Sequence, residues 1–150
     1  MIIKNTKATD TDFVELCHQL DTYLNDLVGG EKNRAEYIPY NLLTEINNVV
    51  IAYENDVAVG CASYKDLSEN TAEVKRVFVQ EEYRGRKIAK HLMLALEERA
   101  RQQGFYFFVL ETGEPLVSAT KLYLNLGYRA IDNYGPYIDM PESVCMKKEL

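Results

Sequence analysis

Three cations and a glycine, Arg84-Gly85-Arg86-Lys87, stand where an apolar stretch, Val74 to Val79, passes through a polar linker, Gln80-Glu81-Glu82, into a segment with Ile88, Leu92, Ala95 and Leu96 at helical spacing. The first amide N–H groups of a helix have no internal partners, and the helix dipole adds roughly half a positive charge at that end. The chemistry this suits is capture of an anion, such as a phosphate, on backbone amides. Many strand-to-helix turns carry the same residue types with no ligand, so the turn alone leaves a solvated loop as open as a binding site. A nucleotide phosphate loop ranks last, because the Gly-Lys-Ser/Thr ending it needs is absent.

The residues from Val79 to Ala89 resemble the acetyl-CoA-binding motif of the GNAT superfamily of acyl-CoA N-acyltransferases: Arg or Gln, two residues, Gly, one residue, Gly or Ala. Arg84 and Ala89 match its ends. Lys87 stands where the inner Gly is usual, and a Lys predicts ordinary helical backbone at that position. A second anchor, Leu122-Tyr123-Leu124-Asn125-Leu126-Gly127-Tyr128, is similar to the superfamily's Leu-Tyr, three residues, Gly, aromatic pattern. Leu110-Glu111-Thr112-Gly113 with Tyr134-Gly135 and Tyr137 looks like a bacterial subgroup. Leu116 occupies a place where the superfamily often has Asn.

The resemblance covers nearly the whole chain and implies acetyl-CoA as cosubstrate. Pyrophosphate would sit on the amides of Arg84, Gly85, Arg86, Lys87, Ile88 and Ala89, and pantetheine would run along Val77, Phe78 and Val79. It implies direct transfer of acetyl to an amine, with Tyr123 supporting the departing thiolate and Glu73 as the base, generally through water. Glu111, at the end of the neighbouring strand, is the rival base. Neutralising an alkyl amine of pKa ~10.4 at pH 7 costs about 4.6 kcal/mol, which is why a base is needed. A non-catalytic acyl-CoA sensor of the same fold is the alternative, encouraged by Lys87 and Leu116. A homodimer is a further implication of the resemblance.

The elements that must position these residues follow from periodicity and turn chemistry. Ile2 to Lys7 reads as an edge strand, and Asp10 or Thr11 can cap a helix bearing Phe13, Leu16, Cys17, Leu20, Leu24 and Leu27, stopped by Gly29-Gly30. A second helix is expected within Lys32 to Asn47, around Pro39, with Leu42, Leu43 and Ile46 buried. Tyr23, Asp26, Glu36, Tyr37 and Tyr40 could line a substrate pocket or simply pack. Val49 to Tyr53 and Val57 to Tyr64 form a hairpin across Glu54-Asn55-Asp56; Asp66 to Asn70 is a loop. In the strand Thr71 to Val79, polar Glu73, Lys75 and Arg76 interrupt the alternation, which predicts a bulge whose freed backbone groups could pair with an extended ligand. Helix Arg86 to Gln103, strand Phe105 to Glu111, a helix from Pro115 closed by Gly127, strand Tyr128 to Ile131, loop Asn133 to Glu142 and strand Ser143 to Lys148 complete the chain. The order β-α-α-β-β-β-α-β-α-β-β gives a GNAT-like mixed sheet in an α/β fold.

Composition restricts the other possibilities. A chain of 150 residues fits one domain, residues 1–150. No run approaches the ~18 apolar residues of a membrane span, and Met1 to Asn5 lacks a signal-peptide pattern, so a cytoplasmic protein without a membrane partner is expected. Cys17, Cys61 and Cys145 are odd in number and set among apolar residues, which argues against disulfides or zinc. His18 and His91 leave little material for a metal site or a triad. A net charge of -6 disfavours nucleic acid as a partner and suits a cationic small-molecule amine. Tyr134, Pro136 and Tyr137 are candidates to border its pocket.

Overall fold

The computed structural model describes residues 1–30, 43–113 and 117–150. Its strands form one seven-stranded sheet in the order β1-β2-β3-β4-β5-β7-β6. The strands are β1 (Ile2–Thr6), β2 (Asn48–Glu54), β3 (Val57–Ser68), β4 (Thr71–Val79), β5 (Phe107–Gly113), β6 (Arg129–Ile131) and β7 (Ser143–Glu149). The helices are α1 (Thr11–Val28), α2 (Ile88–Gln102) and α3 (Val117–Asn125). Among the described residues only β4 and β5 pair in parallel; the other neighbours are antiparallel. Among the described residues no helix is long and apolar enough to cross a membrane.

Alternation along the strands feeds two cores. Val49, Ile51 and Cys61 point to one face, where Phe13, Leu16, Cys17 and Leu20 of α1 cover them. Val50, Ala52 and Ala62 point to the other, against Leu92, Met93 and Leu96 of α2. Asp10 caps α1 by accepting the Asp12 amide at 2.8 Å, and Gly29 ends it in the left-handed conformation. Leu27 departs from the expected apolar stripe and is exposed. The β2–β3 hairpin closes through Asn55 and Asp56, both at positive φ, the conformation that two-residue hairpin turns require.

Several expected boundaries move. β3 runs on to Ser68, so the loop expected from Asp66 shrinks to a turn, because Asp66 and Ser68 still find partners on β4. β5 starts at Phe107 and reaches Gly113 because β7 pairs with it along that whole length. The expected second helix lies mostly outside the described residues; its visible end, Leu43–Glu45, is a single 3-10 turn. Glu36, Tyr37, Pro39, Tyr40, Leu42, Pro115 and Leu116 also lie outside them. The bulge in β4 is present. Cys61 pairs with Phe78 and Ser63 with Lys75, so Ala62 faces both Arg76 and Val77.

Candidate active site

Parallel pairing between β4 and β5 extends only over Thr71–Glu73 and Phe107–Val109, although both strands continue. The bulge follows a little further along β4. Arg76 sits at φ 56, which costs a non-glycine residue of order 1 kcal/mol, and buried contacts hold it there. Its guanidinium donates to Asp21 Oδ1 at 2.9 Å and to the Cys17 carbonyl at 2.8 Å, tying α1 to the kink. Between the separated strands opens a cavity of about 1050 Å³. Val77, Phe78 and Val79 form one wall, Leu110 to Gly113 another, Tyr23 and Leu24 of α1 a third, and Leu122 and Tyr123 of α3 a fourth.

The turn into α2 forms part of the lining. Gly85 has φ +80, with open space around it. Lys87 is the N-cap of α2 and is itself left-handed, at φ 63 and ψ 20, with no side chain capping the helix. This corrects two expectations: the helix starts at Ile88 rather than Arg86, and Lys87 keeps the backbone that glycine would adopt. The uncapped first turn suits an anion, so the cradle fits the pyrophosphate of acetyl-CoA. Arg84 turns inward: its Nε donates to the Val79 carbonyl at 3.0 Å, and its guanidinium lies 4.5 Å from the Tyr23 ring centroid. Arg86 instead lies over Tyr83, outside the cavity wall, and Ile88 is buried in the core.

Of the expected catalytic pair, Tyr123 is among the residues that line the cavity and Glu73 is not. Tyr123 is buried and lines the cavity, its ring packed on Tyr128 at 5.7 Å. Burial, reinforced by Glu111, pushes its hydroxyl well above the usual range, so it is a neutral donor at physiological pH. Glu73 is 3% exposed and, among the described residues, lies behind the wall rather than in it. It accepts a short hydrogen bond from Tyr134 Oη and sits 3.5 Å from Lys75 Nζ and 3.7 Å from Lys65 Nζ. Glu111 is in the wall with Tyr123. Burial pushes its carboxyl up to about 7, and Lys75 pulls against that rise.

The model of the Acetyltransferase (GNAT) family matches residues 16–128. An IAA acetyltransferase from Azospirillum brasilense is 33% identical over 138 residues, 91% of this chain and 90% of that protein. The chain belongs to the GNAT acetyltransferase family. A candidate acyl-CoA N-acyltransferase from Klebsiella pneumoniae has the same fold with a TM-score of 0.82 and 29% identity, over 99% of this chain and 97% of that one. PaiA N-acetyltransferase from Thermoplasma acidophilum, solved with coenzyme A, shares the fold at a TM-score of 0.75 and 20% identity over the full length of both chains. As a GNAT protein the chain is an acetyl-CoA-dependent acyltransferase, with acetyl-CoA as cosubstrate.

Two contributors escaped the sequence. Lys75 lines the cavity, its Nζ donating to Tyr137 Oη at 2.9 Å, and Ser143 Oγ lies 3.5 Å from Glu111 Oε2. Lys75 was visible as a break in strand alternation and as a possible ion-pair partner of Glu73, not as part of a cavity wall. Ser143 gave no signal, because its place opposite Gly113 depends on the β5–β7 register.

Proposed function

We propose that this GNAT protein transfers acetyl from acetyl-CoA to an amine of a small molecule or amino acid by direct attack. Glu111 takes the amine's proton, and Tyr123 donates a hydrogen bond toward the departing sulfur. The observation that carries this reading is that Glu111 and Tyr123 share one cavity with the anion cradle. Acetyl-CoA supplies the activated acyl thioester. The residues Arg84 to Ala89 hold its pyrophosphate, and the edge of β4 from Val77 to Val79 offers backbone to the pantetheine amides. The Val79 carbonyl already accepts from Arg84, so Val77 is the freer partner on that edge.

The position of Glu111 in the cavity wall and its raised carboxyl suit it to act as the base. Moving a proton from an amine of pKa ~10.4 to an ordinary Glu of ~4.3 is uphill by about 8 kcal/mol. A carboxyl at about 7 lowers that to about 5 kcal/mol, within the reach of desolvation and proximity. Glu73, committed to Tyr134 and the lysines, holds the wall in place. The phenol of Tyr123 serves by hydrogen bonding rather than by full proton transfer, because burial makes its proton costly to lose.

An acidic chain with carboxylates at Glu111 and Glu142 in the wall suits a cationic acceptor and no nucleic acid. Buried free thiols at Cys17, Cys61 and Cys145 support a reducing compartment such as the cytoplasm. Family likeness supports a homodimer, which sedimentation would test.

The first experiment is the thermal shift with acetyl-CoA against ATP, followed by thiol release with a panel of amines. Ligand at 100 times its dissociation constant stabilises by about 2.7 kcal/mol, a shift of several degrees. A shift with acetyl-CoA alone, and thiol release that depends on an amine, is expected. Binding without release across a broad panel would turn the reading to an acyl-CoA sensor.

A further inference from the structure

Beyond the reacting groups, the cavity wall contains a buried cation. Lys75 is 8% exposed, and its neighbours are fixed: Tyr137 Oη at 2.9 Å, Glu73 Oε1 at 3.5 Å and, through its own carbonyl, Ser63 Oγ at 2.6 Å. The parallel register sets Glu73 beside Val109. Two residues further along each strand, on the same faces, come Lys75 and Glu111, where the strands have parted and the cavity begins. We propose that Lys75 is a positioning residue of the reaction, whose ammonium, held between Glu73 and Tyr137, keeps the Glu111 carboxylate available as base across that gap. The inference rests on Glu111 acting as the base.

The groups facing Glu111 come from every neighbouring element. β4 brings Lys75 and, behind it, Glu73; β7 brings the Ser143 hydroxyl and the Cys145 thiol paired across from Glu111; the turn before β7 brings Glu142; and α3 brings Tyr123. Of these only Lys75 carries positive charge. Glu73 and Glu142 oppose ionisation of Glu111, and burial opposes it more strongly. Removing the Lys75 charge leaves those opposing influences in place. It also leaves Glu73 with Lys65 at 3.7 Å as its remaining lysine partner, so Glu73 retains a counter-charge.

The test titrates Glu111 directly in the full chain without any acceptor, by carbon-13 NMR of carboxyl-labelled glutamate, with the signal assigned through Glu111→Gln. Lys75→Met is expected to raise the Glu111 midpoint by at least half a pH unit, roughly a threefold change in proton affinity, while Lys75→Arg restores the wild-type value. Glu73→Gln should move it the opposite way, since Lys75 then acts unopposed, and this arm serves if Lys75→Met does not fold. With an amine that the wild type acetylates, Lys75→Met should lose about half its activity or more at pH 7 and recover it at higher pH. Folded variants whose Glu111 midpoint ignores both changes would overturn the inference. If Glu111→Gln keeps full turnover while the coupling is observed, the base assignment fails instead.

Discussion

The part of the cavity assigned to the donor is one continuous turn, Arg84 to Ala89, exposed from Arg84 to Lys87 and shaped by backbone conformation, whereas the part assigned to the acceptor draws Lys75 from β4, Glu111 from β5, Tyr137 from the loop before β7 and Ser143 from β7. In the proposed reading the first binds with amides that any sequence supplies once φ is right. The second works with side chains whose properties depend on burial and on partners such as Glu73 and Tyr134, 61 positions apart in the chain. Substitutions should therefore separate the two parts: changes in the cradle alter affinity for acetyl-CoA, and changes in the acceptor part alter turnover and its pH dependence.

The largest effect is expected from Glu111→Gln. Loss of a positioned base lowers turnover about a hundredfold or more, with acetyl-CoA affinity near normal. The same substitution should stabilise the fold at alkaline pH. Folding raises the Glu111 pKa from ~4.3 to about 7, so the native state favours the protonated form. The penalty is absent below about pH 4, grows as pH rises, and is complete above about pH 7, where it amounts to on the order of 3 kcal/mol. Unfolding midpoints that match the wild type at pH 4 and exceed it by several degrees at pH 8 would sharpen the comparison. Equal midpoints at both pH values would break it.

Tyr123→Phe keeps the ring packed on Tyr128 and removes only the hydroxyl. Turnover should fall by about an order of magnitude while the dissociation constant of acetyl-CoA holds, since the hydrogen bond strengthens as charge develops on sulfur. Unchanged turnover in a saturating assay would remove Tyr123 from the mechanism. Gly85→Val reverses the pattern. The site is sterically open, so the cost comes from forcing a β-branched residue to φ +80. Acetyl-CoA affinity should weaken at least tenfold, with turnover at saturation closer to wild type. Calorimetric binding that ignores this change would contradict the cradle.

The same contrast explains what could be read beforehand. The β2–β3 hairpin, the span of β4, the bulge and the strand-turn-helix order were legible, because alternation, turn residues and helical spacing are local signals. Glu111 and Tyr123 were nameable from their motifs. Their meeting in one cavity was not, since it depends on β4 and β5 parting after Glu73 and Val109. Sequence left Glu73 and Glu111 as rival bases, and the proposed choice between them rests on tertiary surroundings. Glu73 precedes an apolar run much as a solvated strand carboxylate would, and its enclosure by Tyr134, Lys75 and Lys65 is a tertiary fact. The left-handed backbone of Lys87 ran against residue preference, and tertiary structure overrode it.

Lys87 offers the finest division between backbone and charge, with the smallest expected effect. Lys87→Gly keeps the left-handed conformation accessible and removes the ammonium. Relief of strain, of order 1 kcal/mol, is partly offset by the greater freedom glycine brings to the unfolded chain, so the unfolding midpoint should rise by no more than about 2–4 °C. Acetyl-CoA affinity should fall about threefold at low salt, and the gap should close as salt screens the lost charge. Lys87→Ala removes the same charge but retains the strain, so it should match the glycine variant in salt dependence and lack its gain in stability. If the glycine variant instead bound acetyl-CoA much more tightly at every salt concentration, the lysine would be crowding the ligand. The donor part would then depend on a side chain as much as the acceptor part does.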